Sequence, residues 1–109
     1  MLTWERVFTT MQRKLLRDSI IRAASEQTSC DLAGEAVILN LRSGEYFSLN
    51  DVGTRIWNLI QEPKTVGAVL KSVLEGYDVN PDRLERDLLA LFENMAANGL
   101  IKVENEKSA

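Results

Sequence analysis

The chain has 109 residues, of which 45% are hydrophobic and 27% are charged, and its formal net charge is −3. This length and composition suit one soluble domain with a modest core, and no apolar run approaches the roughly 20 residues of a membrane-spanning helix. The sequence contains no histidine and a single cysteine. It therefore lacks the commonest general base and metal ligand, which argues against a histidine-activated nucleophile, a usual zinc site and an enzyme in general. One cysteine supplies no disulfide framework, which fits a reducing cytoplasm.

Charge is distributed unevenly along the chain. Residues 1–25 contain five basic and two acidic side chains, a net charge of +3. Residues 26–109 contain 8 basic and 14 acidic side chains, a net charge of −6. A basic segment that precedes an acidic body can dock on that body, on a second subunit or on an acidic partner.

Residues 3–24 carry the apolar pattern of an amphipathic helix. Five apolar side chains fall on one helical face: Trp4, Val7, Phe8, Met11 and Leu15. Leu16 and Ile20 continue an adjoining stripe, and Thr3 is a suitable N-cap. We predict an N-terminal helical extension over residues 1–26 that packs on its own domain, covers a cleft of that domain, joins two subunits or docks a partner enzyme.

Three short strands are predicted after this extension. Residues 28–32 alternate apolar and polar side chains, with Cys30 expected as a small, half-buried strand residue. Residues 35–41 form a β-branched and aliphatic run, and residues 45–49 return as a third strand. The loop Arg42-Ser43-Gly44 between them places a glycine where a hairpin needs positive φ. We expect an antiparallel meander.

The pattern then changes to the helical period. Asn50 or Asp51 can cap a first helix that Pro63 ends, and Thr65 can cap a second that Gly76 closes. Asn80-Pro81 is a strong start signal for a third helix, which Asn98-Gly99 stops. Residues 100–103 are predicted as a short terminal strand or a packed tail, and residues 105–109 as a frayed tail.

The predicted fold class is therefore α+β. A three-stranded antiparallel sheet followed by three helices, related to winged-helix folds, occupies residues 27–104, and an extra helix precedes it. These short helices are marginal in isolation and must pack on the sheet.

The turn and capping residues also carry a resemblance. Gly34-Glu-x-x-x-Leu-Asn-Leu, Arg42-x-Gly-x-Tyr-Phe-x-Leu-Asn50 and x-x-Gly53-x-x-Ile-Trp57, with the Asn98-Gly99-Leu100 ending, resemble the PqqD-like family over about residues 28–103. The resemblance implies a recognition element of ribosomal peptide (RiPP) biosynthesis, a peptide chaperone with no catalysis and no cofactor of its own. Such a domain binds the leader segment of a precursor peptide and presents it to a radical-SAM enzyme, a leader peptidase or a cyclase.

The resemblance also implies where the leader binds, as a strand added to the edge of the third strand beside the third helix of the core. Strand addition is physically sound, because an edge offers unpaired main-chain groups. The peptide-binding residues expected in this sequence are Glu45, Tyr46, Phe47, Ser48, Leu49, Arg86, Asp87, Ala90, Leu91 and Asn94. Arg86 would pair with an acidic leader residue, and Asp87 with a basic one. Phe47 and Leu49 share a strand face and are also expected in the core.

Two other functions compete with this hypothesis. Winged helices often bind DNA, but residues 82–98 hold two basic and four acidic side chains, a surface that repels phosphate. The other alternative is a dimerisation module that uses the N-terminal helix.

Overall fold

The computed structural model describes residues 15–105. Within this range the chain forms six strands and three helices. In chain order they are β1 (Ser19–Ala23), β2 (Gln27–Leu32), β3 (Glu35–Asn40), β4 (Tyr46–Ser48), α1 (Asp51–Leu59), β5 (Lys64–Thr65), α2 (Val66–Gly76), α3 (Pro81–Ala97) and β6 (Ile101–Asn105). The α+β class and the three core helices are confirmed.

The strands form two antiparallel three-stranded sheets, where the sequence predicted one. The first has the order β2-β3-β4 and is the predicted meander. The second has the order β5-β1-β6 and brings together segments that are distant in sequence. In the second sheet Ile21 lies opposite Lys64 on one side and Val103 on the other.

The helix predicted over residues 3–24 is wrong for residues 19–23, which form β1. Ile20 and Ile21 are β-branched and favour a pleated strand, and Ile21 is fully buried between two partner strands. Pairing with these two distant strands is therefore more favourable here than the helix that the apolar periodicity predicted. The apolar stripe from Trp4 to Met11 lies outside the described residues, and the division of the chain at residue 26 stays a prediction.

The helix boundaries follow the predicted caps. The side chain of Asn50 accepts from the Gly53 N–H at the start of α1. Thr65 does the same for α2 through the Ala68 N–H. Asn80 accepts from the Arg83 N–H and is followed by proline in the first turn of α3. Each cap satisfies an amide that the first helical turn leaves without a partner.

The core lies between the helices and the inner faces of both sheets. Its largest fully buried side chains include Trp57 of α1, Phe92 and Leu88 of α3, and Ile38 of β3. The indole Nε1–H of Trp57 donates to the Ser29 hydroxyl at 3.2 Å, which ties α1 to β2. Strand β2 was correctly predicted, but Cys30 is exposed and not half-buried, because no described element covers the outer face of the β2-β3-β4 sheet. None of the helices within residues 15–105 is long and apolar enough to cross a membrane.

Candidate functional site

Strand β4 is one edge of the β2-β3-β4 sheet, and half of its main-chain groups point away from β3. Phe47 lies opposite Ile38 in the ladder. The Leu49 N–H donates to the Ala36 carbonyl, and the Glu45 carbonyl accepts from the Asn40 N–H, both at 2.9 Å. Because bonded and free residues alternate in an antiparallel pair, the N–H and C=O groups of Tyr46 and Ser48 face the open side. Within residues 15–105, the strand therefore presents two residues whose main-chain donors and acceptors have no partner.

Asn40 fixes the beginning of β4. Its side-chain oxygen accepts from the amides of Arg42 and Ser43 at 2.8 and 3.1 Å, which shapes the hairpin loop. Its Nδ2 donates to the Asn98 carbonyl at 2.7 Å, just beyond the last turn of α3. Gly44 completes the loop with a φ of 77°. One buried amide thus sets the distance between the hairpin and the end of α3.

Thr54 and Gly53 fix the other end of β4. The Thr54 hydroxyl accepts from the Ala36 N–H at 2.8 Å and donates to the Leu49 carbonyl at 3.3 Å. Gly53 lies next to it, and a Cβ there would lie 3.2 Å from both the Asn50 Oδ1 and the Leu49 Cβ, which is closer than ordinary van der Waals contact. The glycine thus allows a close approach of α1 to the end of the strand.

A cavity of about 780 Å³ opens between β4 and α3, and we call it the β4–α3 groove. Strand β4 and α1 form one side of it, and the N-terminal half of α3 forms the other. Its lining residues are Ser48, Leu49, Asn50, Val52, Gly53, Ile56, Val79, Asn80, Arg83, Leu84, Asp87, Leu88 and Leu91. The floor is apolar, because Ile56, Leu84 and Leu88 are buried. Arg83 and Asp87 are exposed and lie on the rim.

The structure brings four of the ten predicted residues into the groove lining: Ser48, Leu49, Asp87 and Leu91. Tyr46 is 70% exposed on the outer face of the sheet, where its main chain, but not its side chain, belongs to the free edge. Phe47 packs against the core, and Glu45 is exposed before the strand begins.

The remaining three predicted residues, Arg86, Ala90 and Asn94, are exposed on α3 outside the lining. With about 3.6 residues per turn, the face that begins at the Asn80 cap continues through Arg83, Asp87 and Leu91. The sequence therefore held the signal that Arg83, one turn before Asp87, is the rim arginine. Val79 was also missed, although it is a large apolar side chain in an otherwise polar loop.

An ion pair lies on α3 away from the groove lining. Arg17 donates to both Glu85 carboxylate oxygens, at 2.9 and 2.6 Å. These hydrogen bonds lower the pKa of Glu85 and raise the pKa of Arg17. The contact attaches the segment before β1 to α3.

The groove holds the groups needed for peptide binding, namely free main-chain donors and acceptors above an apolar floor. Residues 15–105 contain no cluster of three or more His, Cys, Asp or Glu side chains placed to hold a metal ion.

Comparison with known proteins gives one family match and two similar solved structures. A family model described as coenzyme PQQ synthesis protein D (PqqD) matches residues 35–101. The solved structure of TbiB1 in complex with the TbiA(beta) leader peptide is 31% identical in sequence, with a TM-score of 0.70, and the match covers 74% of this chain and 94% of that one. A lasso peptide synthetase B1 complexed with the leader peptide is 28% identical, with a TM-score of 0.68, and the match covers 75% and 96% of the two chains. No curated protein matches the sequence.

Proposed function

Because this chain belongs to the family of coenzyme PQQ synthesis protein D, we propose that it binds the leader segment of a ribosomally synthesised precursor peptide. The leader adds as an antiparallel strand at the open side of β4 and lies in the β4–α3 groove. Both similar solved structures are described as complexes with a leader peptide.

The free edge of β4 beside the groove is the observation that carries this proposal. The main-chain groups of Tyr46 and Ser48 can bond to a guest strand of any sequence, which provides affinity. Side chains at alternate positions of the guest enter the groove or face away from it, which provides selectivity. The floor, which includes Leu84 and Leu88, suits an apolar guest side chain, and Arg83 and Asp87 on the rim suit charged neighbours of either sign.

The predicted contacts outside the lining belong to the flanks of the same site. Arg86, Ala90 and Asn94 would meet leader residues that continue past the groove along α3. Glu45 and Tyr46 would meet the leader beyond the hairpin end of β4. Phe47 supports the edge from beneath, since it packs against the core.

We assign the chain no catalytic step of its own. It acts as a winged-helix-like adaptor that presents the precursor to a modifying enzyme, which is a radical-SAM enzyme, a leader peptidase or a cyclase. The basic residues 1–26 are proposed to dock that enzyme or to join two subunits, on the grounds of their charge and apolar pattern.

Fluorescence polarisation tests the proposal, with labelled leader segments of the precursors encoded next to this chain. Saturable binding is expected. If none of these leaders binds above background, the proposed function is wrong.

Replacement of Ser48 locates the site on β4. Ser48→Pro removes a main-chain donor from the open side of β4, where proline does not break the ladder with β3. One lost hydrogen bond of about 0.5–1.5 kcal/mol weakens leader binding about 2- to 13-fold. Ser48→Ala is the matched control, because it keeps the amide and removes only the hydroxyl in the groove lining, so it should weaken binding less than Ser48→Pro.

Circular dichroism verifies that each variant is folded, and Tyr46→Pro repeats the test at the second free residue. A folded Ser48→Pro variant that binds the leader normally would show that the strand-addition site lies elsewhere.

A further inference from the structure

Strand β2 forms the edge of the β2-β3-β4 sheet opposite to β4, and no strand within residues 15–105 pairs with its outer side. It is six residues long, Gln27–Leu32, and contains no lysine, arginine, proline or glycine. Edge strands that stay unpaired are usually short, carry charges or proline, or are covered. The other edges of the described residues follow that pattern, since β4 has three residues, β5 has two, and β6 carries Lys102 and Glu104.

The free main-chain groups of β2 are arranged symmetrically along the strand. The Leu41 N–H donates to the Glu26 carbonyl, and Ser29 lies opposite Ile38 in the ladder. Ile38 of β3 bonds to β4. The residues on either side of Ile38, Val37 and Leu39, therefore bond to β2, opposite Cys30 and Thr28. The N–H and C=O groups of Gln27, Ser29 and Asp31 therefore point to the open side, with Ser29 at their centre.

We propose that β2 pairs with β2 of a second copy of this chain, antiparallel and about a two-fold axis at Ser29. A two-fold interface must be self-complementary, and an odd number of outward-facing residues centred on Ser29 meets that condition. The two sheets then join into one six-stranded sheet. Both β4 edges remain at its far ends, so the inference is independent of the proposed function and compatible with it.

The side chains suit this register. Gln27 of one copy lies opposite Asp31 of the other, and Thr28 lies opposite Cys30, so that no like charges face each other. Asp31 is the single charged residue of the strand, and its carboxylate already accepts from the Gly34 N–H at 2.8 Å.

The register also brings Leu32, an exposed apolar side chain that the groove does not use, to the seam between the two copies. Leu32 is 58% exposed and Leu41 is 57% exposed, at opposite ends of the sheet. In the paired sheet, Leu32 lies opposite Glu26 of the second copy, whose neighbour on the next strand is Leu41 of that copy. Leu32 can therefore pack on the aliphatic part of Glu26 of the second copy, whereas Leu41 lies two strand spacings, or ~10 Å, away and stays exposed. The symmetry forms the contact of Leu32 with Glu26 twice. A seam formed by one pair of six-residue strands gives a weak, concentration-dependent dimer.

Cys30 offers a direct test, because it is the single cysteine of the chain and is exposed on β2. In the proposed register the two Cys30 residues are diagonal neighbours, about 7–8 Å apart between Cα atoms. A nitroxide label on Cys30 of the full chain should show dipolar broadening in its electron paramagnetic resonance spectrum. The broadening should disappear when labelled chain is diluted with unlabelled chain. A monomer by sedimentation velocity, or a dimer without broadening, overturns the proposal.

A pair of charge variants tests the register without the label. Thr28→Lys combined with Cys30→Lys places like charges opposite each other twice, and should weaken dimerisation about tenfold. Thr28→Glu combined with Cys30→Lys places opposite charges there and should retain the dimer. Both positions are exposed, so both variants keep the fold. Equal dimerisation by the two variants contradicts the proposal.

Leader binding separates this inference from the proposed function. Both double variants should bind the leader peptide like the unaltered chain, because β2 and β4 lie on opposite edges. Loss of the dimer with normal leader binding supports the interface. Normal dimerisation of the variant with two lysines overturns it, whatever the leader does.

Discussion

At the scale of single residues, Asn40 links the hairpin of the site to the end of α3. Its buried amide bonds to two loop amides and to the Asn98 carbonyl, so it connects the hairpin to the end of α3. Asn40→Ala leaves these groups without their partner and should reduce the free energy of unfolding by about 1–3 kcal/mol. Urea denaturation followed by circular dichroism measures this loss.

Asn40→Asp is the matched control for that experiment. The carboxylate keeps the acceptor for Arg42 and Ser43 but loses the donor to Asn98. If the link to α3 positions β4, Asn40→Asp should weaken leader binding even though the loop hydrogen bonds persist. A change in unfolding free energy below about 0.5 kcal/mol for Asn40→Ala would mean that water replaces the amide at this position.

At the scale of elements, the helices could be predicted from local sequence signals. The strands that pair over a long range could not. The caps Asn50, Thr65 and Asn80 act on amides within three residues, so the sequence alone located the three helices. Strand β1 pairs with strands more than 40 residues away in sequence. The residues next to Ile21 carry no signal of these partners, so the strand could not be predicted from them. The cavity between β4 and α3 lies at the strand and helix where the site was expected, and leader binding there stays a prediction.

Individual site residues were harder to predict because they depend on how α3 is rotated against the sheet. Helical spacing defines a face but does not say which face meets β4. The structure selects the face that contains Arg83 and Asp87. Arg86, predicted from the same helix, lies outside this face.

This difference between two arginines of one helix gives a controlled experiment. Arg83→Gln removes a rim charge from the groove and should weaken binding of a leader with an acidic residue by up to about fivefold, since exposed charge pairs contribute about 0.2–1 kcal/mol. Arg86→Gln makes the same change of charge outside the lining and should have a smaller effect. Fluorescence polarisation at low and high salt measures both, and the difference should shrink as salt screens the pair. A larger effect of Arg86→Gln would mean that the leader contacts the face of α3 that contains Arg86, as the sequence predicted, and not the face that contains Arg83.

At the scale of the whole molecule, the second sheet connects the two ends of the described chain. Strand β1 lies between β5 and β6, and β6 follows α3, which forms one side of the groove. The Gly67 N–H also donates to the Arg17 carbonyl at 2.9 Å, so the segment before β1 holds the start of α2. The arrangement of α3 against β4 therefore depends on residues that the sequence pattern assigned to a separate extension.

Truncation tests this dependence directly. A chain that begins at residue 27 lacks β1, and with it the buried Ile21 and Leu15. Burial of one such side chain contributes about 1.5–3 kcal/mol, which is a large part of the 5–15 kcal/mol that stabilises a typical domain. We expect this variant to unfold at much lower urea concentration and to bind the leader weakly, whereas a chain that begins at residue 15 should keep both properties. A synthetic peptide of residues 15–26 added to the shorter chain should restore part of its stability, because β1 bonds to both neighbours through its main chain. Equal urea midpoints for the two truncated chains would instead make residues 1–26 a separable extension, as the sequence pattern predicted.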